Sequence, residues 1–233
     1  PHPQAPGAGA PARVARIAID KVDSPEPGLE RIDGRAFGEL DPSDAGNAII
    51  TDIALAPRNA AGKVEYVSRF TITRPADPAK LSGVLWYDIV NRGAPVTPGE
   101  GATRPTDFGH VSLISGWQGD LAQTPKNWAV QVPVAVNPDG SPITGPVMAR
   151  LADVPAGTKS RPLVMLAAPI PYDAASLETR RAQLITKQSE KRTGEVAGVS
   201  EVPSDAWSFG DCSSVPFPGA PNPRMLCLRE GFK

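Results

Sequence analysis

Two short apolar runs between Leu81 and Leu121 decide the fold class of this chain. They are Gly83-Val84-Leu85-Trp86-Tyr87-Asp88-Ile89-Val90, which ends in Asn91-Arg92-Gly93, and His110-Val111-Ser112-Leu113-Ile114, which ends in Ser115-Gly116-Trp117-Gln118-Gly119-Asp120. Continuous apolar runs bounded by turns are typical of strands buried on both faces of a parallel sheet. The core strands of any β-rich domain would give the same pattern, so both interpretations stay open.

The two polar turns are the first place to look for a functional site. In open α/β sheets, ligands bind just beyond the carboxyl ends of the strands. The alternative is that these turns only connect strands. If the sheet is parallel, the candidate residues are those of the first turn, Asn91, Arg92 and Gly93, together with those of the second, Ser115, Gly116, Trp117, Gln118 and Asp120.

Composition and charge limit the function classes. The chain has 233 residues, a formal net charge of -1 and 40 % hydrophobic residues. It lacks the basic excess of a nucleic-acid binder and any apolar run of about 18 residues that could span a membrane. We therefore predict neither a nucleic-acid nor a membrane partner. The 27 prolines and 22 glycines favour short strands and turns with few helices.

The N-terminal leader, residues 1–12, is rich in proline, alanine and glycine. A segment of this composition cannot bury enough apolar surface to fold, so we expect it to be disordered. It is typical of a mature secreted chain after removal of a signal peptide, and an artificial start would look the same.

Cys212 and Cys227 are the only cysteines, and both lie near the C-terminus among prolines and glycines. A disulfide between them would close a loop of about 15 residues and contribute roughly 3 kcal/mol. Two free thiols, or one reactive thiol, are the alternatives. We favour the disulfide, because a proline-rich tail without periodic structure needs a covalent link. An oxidising compartment follows, which means a secreted or periplasmic protein.

Apolar periodicity predicts a chain made mostly of strands. In the first of them, Val14 and Arg16 alternate with Ala15, Ile17 and Ile19. Asp139-Gly140 predicts a hairpin between two of the strands. We expect one helical turn and then a strand in Ala174–Lys187, and a polar loop in Ser189–Ser204. The predicted strands are Arg13–Asp20, Gly34–Leu40, Ala48–Leu55, Lys63–Arg74, Trp128–Val136, Ile143–Leu151 and Leu163–Ala168.

The chain contains no complete catalytic set. The G-x-S-x-G elbow of an α/β-hydrolase is absent, and Gly198-Val199-Ser200-Glu201-Val202 lacks the second glycine. Of the two histidines, His2 lies in the leader, and His110 opens a strand, where we expect a structural role. Pro98-Gly99-Glu100-Gly101 lacks the lysine of a phosphate-binding loop. Histidine and cysteine are too few for a zinc site, so we predict neither metal nor cofactor.

Several motifs resemble, in the same order, the opening of a family of large bacterial secreted proteins known as α/β-hydrolase domain-containing proteins. The resemblance covers nearly all of residues 30–232. It departs at His110, where the family tends to have an aromatic residue, and after Gly93, where the usual Asn-Lys pair is missing. The motifs are Gly34–Pro42, Asn47–Asn59, Tyr87–Gly93, Ser115–Leu121, Pro142–Val147 and Asp211–Phe232.

The resemblance implies a β-rich α/β fold with few helices. Residues 13–125 would be the N-terminal strands of an α/β-hydrolase core, and residues 126–233 a β-rich insertion that caps the site. Asn91-Arg92-Gly93 would belong to the oxyanion-hole loop, and Ser115–Asp120 to the turn after the next parallel strand. The serine, acid and histidine would lie past Phe232. The implied partners are therefore the C-terminal remainder of the same hydrolase and a small ester-like substrate.

Two further interpretations stay open, so whether the protein is an enzyme is undecided by sequence. One is a self-sufficient, β-rich extracellular binding module without catalysis. The other is a carbohydrate-binding domain that uses Trp86, Trp117, Trp128 and Trp207, although tryptophans usually fill cores. The hydrolase interpretation predicts an additional partner, because the parallel strands of an isolated segment would expose apolar faces that another chain must cover.

Overall fold

A computed structural model describes residues 11–96, 103–122, 124, 126–164 and 170–232. The chain divides into two compact units, Pro1–Ile143 and Thr144–Lys233, each considered by itself below. Most of the leader, the Pro98–Gly101 segment and residues 165–168 of the strand predicted at Leu163–Ala168 lie outside the described residues. The described helices are 3-10 turns of three or four residues, and none of them is long and apolar enough to cross a membrane.

The first unit is built on a mixed six-stranded sheet with the order β1-β2-β3-β5-β4, and β6 pairs with β3. The predicted β-rich fold with few helices is confirmed in this part of the chain. The strands are β1 (Ala12–Asp23), β2 (Leu29–Leu40), β3 (Val64–Pro75), β4 (Leu85–Ile89), β5 (Val111–Ser115) and β6 (Val130–Gln131).

Strands β2 and β3 pair without interruption from Leu29 opposite Pro75 to Leu40 opposite Val64. Two glycines of β2 lie beneath aromatic rings of β3. A Cβ on Gly34 would lie 2.5 Å from the Phe70 ring, and one on Gly38 would lie 2.0 Å from the Tyr66 ring. The glycines therefore leave room for rings that lie across the strand, which explains glycine inside a twelve-residue strand.

Strand β1 carries two irregularities that change which side chains share a face. The pairing with β2 shifts between Val14 and Arg16 and again between Ile19 and Lys21. Each shift is a β-bulge, which inserts one residue and restarts the alternation of side chains. The sequence interpretation placed Val14 and Arg16 on one face, and this is wrong. The bulges instead place four residues on the face shared with Gly34 and Gly38, namely Val14, Ile17, Ile19 and Val22.

Strands β4 and β5 are neighbours and parallel, with Leu85 opposite Val111 and Ile89 opposite Ser115. The parallel interpretation of the two apolar runs is therefore confirmed. The expected burial on both faces is not found, because β4 is the last strand of the sheet. Leu85 is 60 %, Trp86 48 % and Ile89 62 % exposed. Side chains alternate along a strand, so apolar groups are partly exposed on both faces of β4.

The strand predicted at Ala48–Leu55 is wrong. This segment forms turns between the 3-10 helices Ala45–Asn47 and Ile53–Leu55. The Asp44 side chain accepts from the Gly46 N–H, and the Asn47 amide donates to the carbonyls of Pro11 and Asp41. Such local side-chain bonds stabilise turns in competition with a sheet ladder, and here they override the β preference of Ile49 and Ile50.

Regular structure is sparse after Asp120. Only Val130–Gln131 of the predicted strand Trp128–Val136 is in the sheet, where it pairs with Val67 and Ser68. The turn at Asp139-Gly140 exists, since Asn137 N–H donates to Ser141 and Val136 bridges Pro142. Residues 143–151 form no strand. Because β6 belongs to the first sheet, the division between the units falls after Ile143, whereas the sequence boundary lay between residues 125 and 126.

The second unit contains a three-stranded sheet with the order β12-β13-β7 and two small two-stranded sheets, β9-β10 and β8-β11. The helical turn Thr179–Arg181 followed by a strand at Ile185 agrees with the prediction. Ser189–Ser204 was predicted as a polar loop, but three two-residue strands lie in it. The strands are β7 (Ser160–Pro162), β8 (Ile185–Thr186), β9 (Ser189–Glu190), β10 (Val196–Ala197), β11 (Ser200–Glu201), β12 (Trp207–Asp211) and β13 (Ala220–Leu228).

The disulfide Cys212–Cys227 is present, with the two Cα atoms 5.7 Å apart. It connects the end of β12 to β13, and Cys227 is fully buried. The expectation of a tail without periodic structure is wrong, because β13 extends over nine residues and pairs on both sides. The covalent link therefore fixes a sheet, rather than an irregular tail.

The turn after β2 leads to a prediction about acid stability. Lys63 donates to the Asp41 carboxylate, as do the hydroxyl and N–H of Ser43, and these bonds hold the Asp41 pKa well below its ordinary value. A carboxyl with a lowered folded-state pKa stabilises the fold above its unfolded pKa of about 3.9 and loses that contribution as the pH falls further. Urea midpoints should therefore fall less steeply below about pH 4 in Lys63→Met than in the wild type. Lys126→Met, which removes an exposed lysine elsewhere, should keep the wild-type slope, and equal slopes in all three proteins would contradict the assignment.

Candidate functional site

The chain leaves β4 through a tight turn at Asn91-Arg92-Gly93. Asn91 N–H donates to the Ala94 carbonyl over 2.8 Å, and Ala94 N–H donates back over 3.0 Å. Arg92 and Gly93 both have positive φ, 52° and 77°. This combination is that of the tight two-residue turn in which both central residues are left-handed. The chain therefore reverses its direction directly at the carboxyl end of β4, where the sequence predicted a site.

The turn after β5 packs closely against residues that lead into β6. Gly116 N–H donates to Arg69, and its carbonyl accepts from the Ser68 hydroxyl over 2.6 Å. A Cβ on Gly116 would lie 2.4 Å from the backbone of Ala129, which is fully buried. Only glycine allows this approach. The turn is thus fixed between β3 on one side and the Trp128–Val130 segment on the other.

Three interactions bring the two turns together. The Arg92 N–H donates to Gln118 Oε1 over 2.7 Å, and the Arg92 guanidinium forms an ion pair with Asp120 over 2.7 Å. The Trp117 indole N–H donates to the Val90 carbonyl, also over 2.7 Å. The candidate residues of both turns therefore form one cluster at the carboxyl ends of β4 and β5. Trp117 itself is exposed, so this cluster faces solvent.

The backbone N–H groups of the first turn are not all available to a ligand. Asn91 N–H is bound to Ala94, and Arg92 N–H is bound to Gln118. Gly93 N–H has no acceptor within the described part of the chain, while its carbonyl accepts from Trp128 N–H. Of the three N–H groups in the loop predicted as an oxyanion donor, only that of Gly93 lacks an acceptor among the described residues, and Gly93 itself is buried.

Asp88 belongs to this end of the sheet, and sequence reasoning did not select it. Its side chain is buried, and Oδ1 accepts from the Val96 N–H over 3.1 Å. The carboxylate therefore holds the chain that leaves the Asn91 turn. The signal was present in the sequence, because Asp88 is the single charged residue in the apolar run Gly83–Val90.

Ser115, the last residue of β5, does not meet a histidine here. Its hydroxyl lies 2.7 Å from the Tyr87 hydroxyl on the neighbouring strand. His110 lies at the opposite end of β5, about 16 Å away for five residues of strand. There its Nδ1 lies 2.8 Å from the Ser82 hydroxyl, which also accepts from the Val84 N–H. The Ser82–His110 pair joins the entrances of β4 and β5, and the structural role of His110 stays a prediction.

Other site types find little support in the described ranges. No group of three or more histidine, cysteine or carboxylate side chains could hold a metal ion there. An open cleft of about 370 Å³ lies between β3 and β6, lined in part by Tyr66, Val67 and Val132. It contains none of the residues of the two turns, so it is separate from the candidate site.

Comparison with known proteins gives no relative. None of the family models, curated proteins or solved structures matches this chain. The inferences that follow therefore rest on the geometry and the motifs.

Proposed function

We propose that this chain is the N-terminal segment of a secreted serine hydrolase with esterase-like activity. In this proposal it supplies core strands and a candidate oxyanion donor, and polypeptide following Lys233 supplies the serine nucleophile, the acid and the histidine. The family resemblance of the motifs is the starting point, and three features of the fold support it.

The observation that carries the proposal is the exposed edge of β4. No described strand lies on the outer side of β4, and its exposed residues are apolar. Natural proteins protect the edges of sheets with charges, prolines or bulges, and the only charged residue of β4, Asp88, is buried. An edge of this kind is expected where another parallel strand, with helices on both sides, completes the sheet.

The position of the candidate site supports the same proposal. The chain that leaves β4 returns to β5 on the inner side of the sheet. A strand added outside β4, with its own connection running outward, would create a topological switch point beside the Asn91 turn. Ligands of open α/β sheets bind at such points. In this proposal the N–H of Gly93, a buried residue, serves as the oxyanion donor, and one such donor contributes about 3 kcal/mol to transition-state stabilisation.

The disulfide supports the proposed location. Cys212 and Cys227 are bonded, and structural disulfides persist in oxidising compartments. A secreted or periplasmic protein is therefore part of the proposal.

A self-sufficient binding module is the second candidate, and one observation favours it. The polar groups of the two turns already satisfy one another through the Arg92–Asp120 ion pair and the Arg92–Gln118 hydrogen bond. Such a closed cluster could act as a surface for a partner without any chemistry. This candidate predicts that the 233-residue chain stays monodisperse without covering β4.

Labelling with a fluorophosphonate probe separates the two candidates, because the probe reacts with activated serines. The longer protein is this chain together with the polypeptide encoded after Lys233. We expect it to be labelled on one serine of the added part, and the 233-residue chain alone to stay unlabelled. Mass spectrometry of the tryptic peptides locates the label. Absence of label in the longer protein would support the binding module, and label on Ser82 would assign catalysis to the Ser82–His110 pair instead.

A further inference from the structure

Strand β1 is the other edge of the first sheet, opposite to β4. It is twelve residues long and exposed along almost its whole length. One face carries the apolar residues Val14, Ile17, Ile19 and Val22, and the other carries mostly charged residues. A long exposed edge strand is a template for pairing with another chain unless its charges and bulges disfavour the partner, so the question for β1 is which partner matches them.

Apart from Ala15 and Lys21, residues 13–23 of β1 are symmetric about Ala18 in residue class. Read outward from Ala18, Ile17 corresponds to Ile19 and Val14 corresponds to Val22. The charged residues correspond with opposite sign, because Arg16 is the counterpart of Asp20 and Arg13 is the counterpart of Asp23. We propose that two copies of this chain pair antiparallel through β1, with the two-fold axis at Ala18.

In that arrangement each residue faces its counterpart on the second copy. Isoleucine lies opposite isoleucine, valine opposite valine, and each arginine opposite an aspartate. Residues directly opposite each other in an antiparallel pair are close enough to interact, with opposite charges favourable. A two-fold interface requires this self-complementarity, since residue i contacts residue j and j contacts i.

Two bulges flank Ala18, with the extra residues at Ala15 and at Asp20. Because of them, Val14 shares the apolar face with its counterpart Val22, and Ile17 shares it with Ile19. Without the bulges, Val14 and Ile17 would lie on opposite faces of β1. Two paired copies could then not have all apolar pairs on one face and all ion pairs on the other.

Neighbouring registers are worse. A shift of two residues in one direction places Arg13 opposite Lys21, and a shift in the other direction places Arg16 opposite Val22. Like charges directly opposite each other are destabilising. The register with its axis at Ala18 is therefore selected against its alternatives.

Within a single chain, three of these charged groups already interact with residues of the neighbouring strand β2. Arg13 is paired with Glu39, Asp20 with Arg35, and the Arg16 guanidinium lies 3.5 Å above the centre of the Phe37 ring. These contacts hold the side chains along the edge. Pairing of two copies would extend them into alternating networks across the axis.

Charge variants test this interface. The wild-type chain should have a mass near twice 24.4 kDa by light scattering after gel filtration. The acidic variant R13E/R16E and the basic variant D20K/D23K should each dimerise at least about tenfold more weakly, because like charges then face each other. An equimolar mixture should restore the dimer, with one copy of each. A monomeric wild type, or variants that dimerise as well as the wild type, would overturn the proposal.

A crosslink tests the axis without altering any charge. Ala18→Cys should form a dimer through a disulfide between the two introduced thiols, because Cα atoms facing each other across an antiparallel pair lie about 4.5–5.5 Å apart. Ala60→Cys, on an exposed turn, is the matched control and should stay uncrosslinked under the same mild oxidation. Equal crosslinking of both variants would contradict the register. The result is independent of the proposed hydrolase, because the edge completed there is β4.

Discussion

Replacing Gly116 by alanine is expected to destabilise the first unit by about 3 kcal/mol. The added methyl group would lie 2.4 Å from the carbonyl carbon and oxygen of Ala129, and 2.6 Å from its nitrogen. All three are backbone atoms, so no side-chain rotation relieves the contact. The Gly116 N–H and carbonyl are also bound to Arg69 and Ser68, which prevents the turn from moving away.

Urea unfolding followed by tryptophan fluorescence measures this effect, because Trp117 and Trp128 flank the contact. The matched control is Gly145→Ala, since no atom lies within 4 Å of its new methyl group and its φ is not positive. The control should change the free energy of unfolding by less than about 0.5 kcal/mol. Equal midpoints for Gly116→Ala and the wild type would show that the turn after β5 is not packed against Ala129.

The second large effect concerns catalysis and rests on the proposed function. In the longer protein, Gly93→Ala should lower kcat for a chromogenic short-chain ester by about 10²–10³-fold, which is the loss expected for one oxyanion donor. The new methyl group would lie 2.7 Å from the Asn127 Cβ, so the turn must move and the Gly93 N–H with it. The KM should change little, because the donor acts mainly on charge in the transition state.

Gly83→Ala is the matched control for this variant. Gly83 has φ of 78°, almost the same as the 77° of Gly93, but no atom lies within 4 Å of its added methyl group. Both variants therefore introduce the same backbone strain, and only one of them moves the turn at the carboxyl end of β4. A folded Gly93→Ala protein with wild-type kcat would remove Gly93 from the mechanism, whatever the activity of the control.

The sequence favoured the disulfide, and it left parallel pairing of β4 with β5 as one of two open interpretations. The roughly twenty residues between the two apolar runs are long enough for the crossover that parallel pairing needs. The sequence was not sufficient to predict burial, because burial depends on what covers a strand. Leu85 and Ile89 are apolar like core residues, but they lie on an edge strand and are 60 % and 62 % exposed.

Irregular backbone was the main source of error. The alternation of β1 was misassigned because a bulge adds a residue without any signal in the side chains, and Ala15 fits a regular strand equally well. The Ala48–Leu55 segment was misassigned because Asp44 and Asn47 stabilise turns that compete with β propensity. The position of the candidate site was predicted better than the faces of β1, because parallel chain direction alone brings the carboxyl ends of two neighbouring strands together. The sequence did not predict that the N–H groups of Asn91 and Arg92 donate to Ala94 and Gln118, because these bonds depend on the folded geometry of the two turns.

The bulges of β1 also bear on how the length of this strand can vary among homologues. At Ala15 and at Asp20 the strand holds one residue more than its partner. Loss of that residue would leave every flanking side chain on its present face, whereas loss of Ala18 would invert half the strand. Alignments of related chains should therefore tolerate single-residue gaps at these two places and exclude them between. Insertion or loss of a residue at these places would then change the twist of β1, while Val14, Ile17, Ile19 and Val22 would stay on one face.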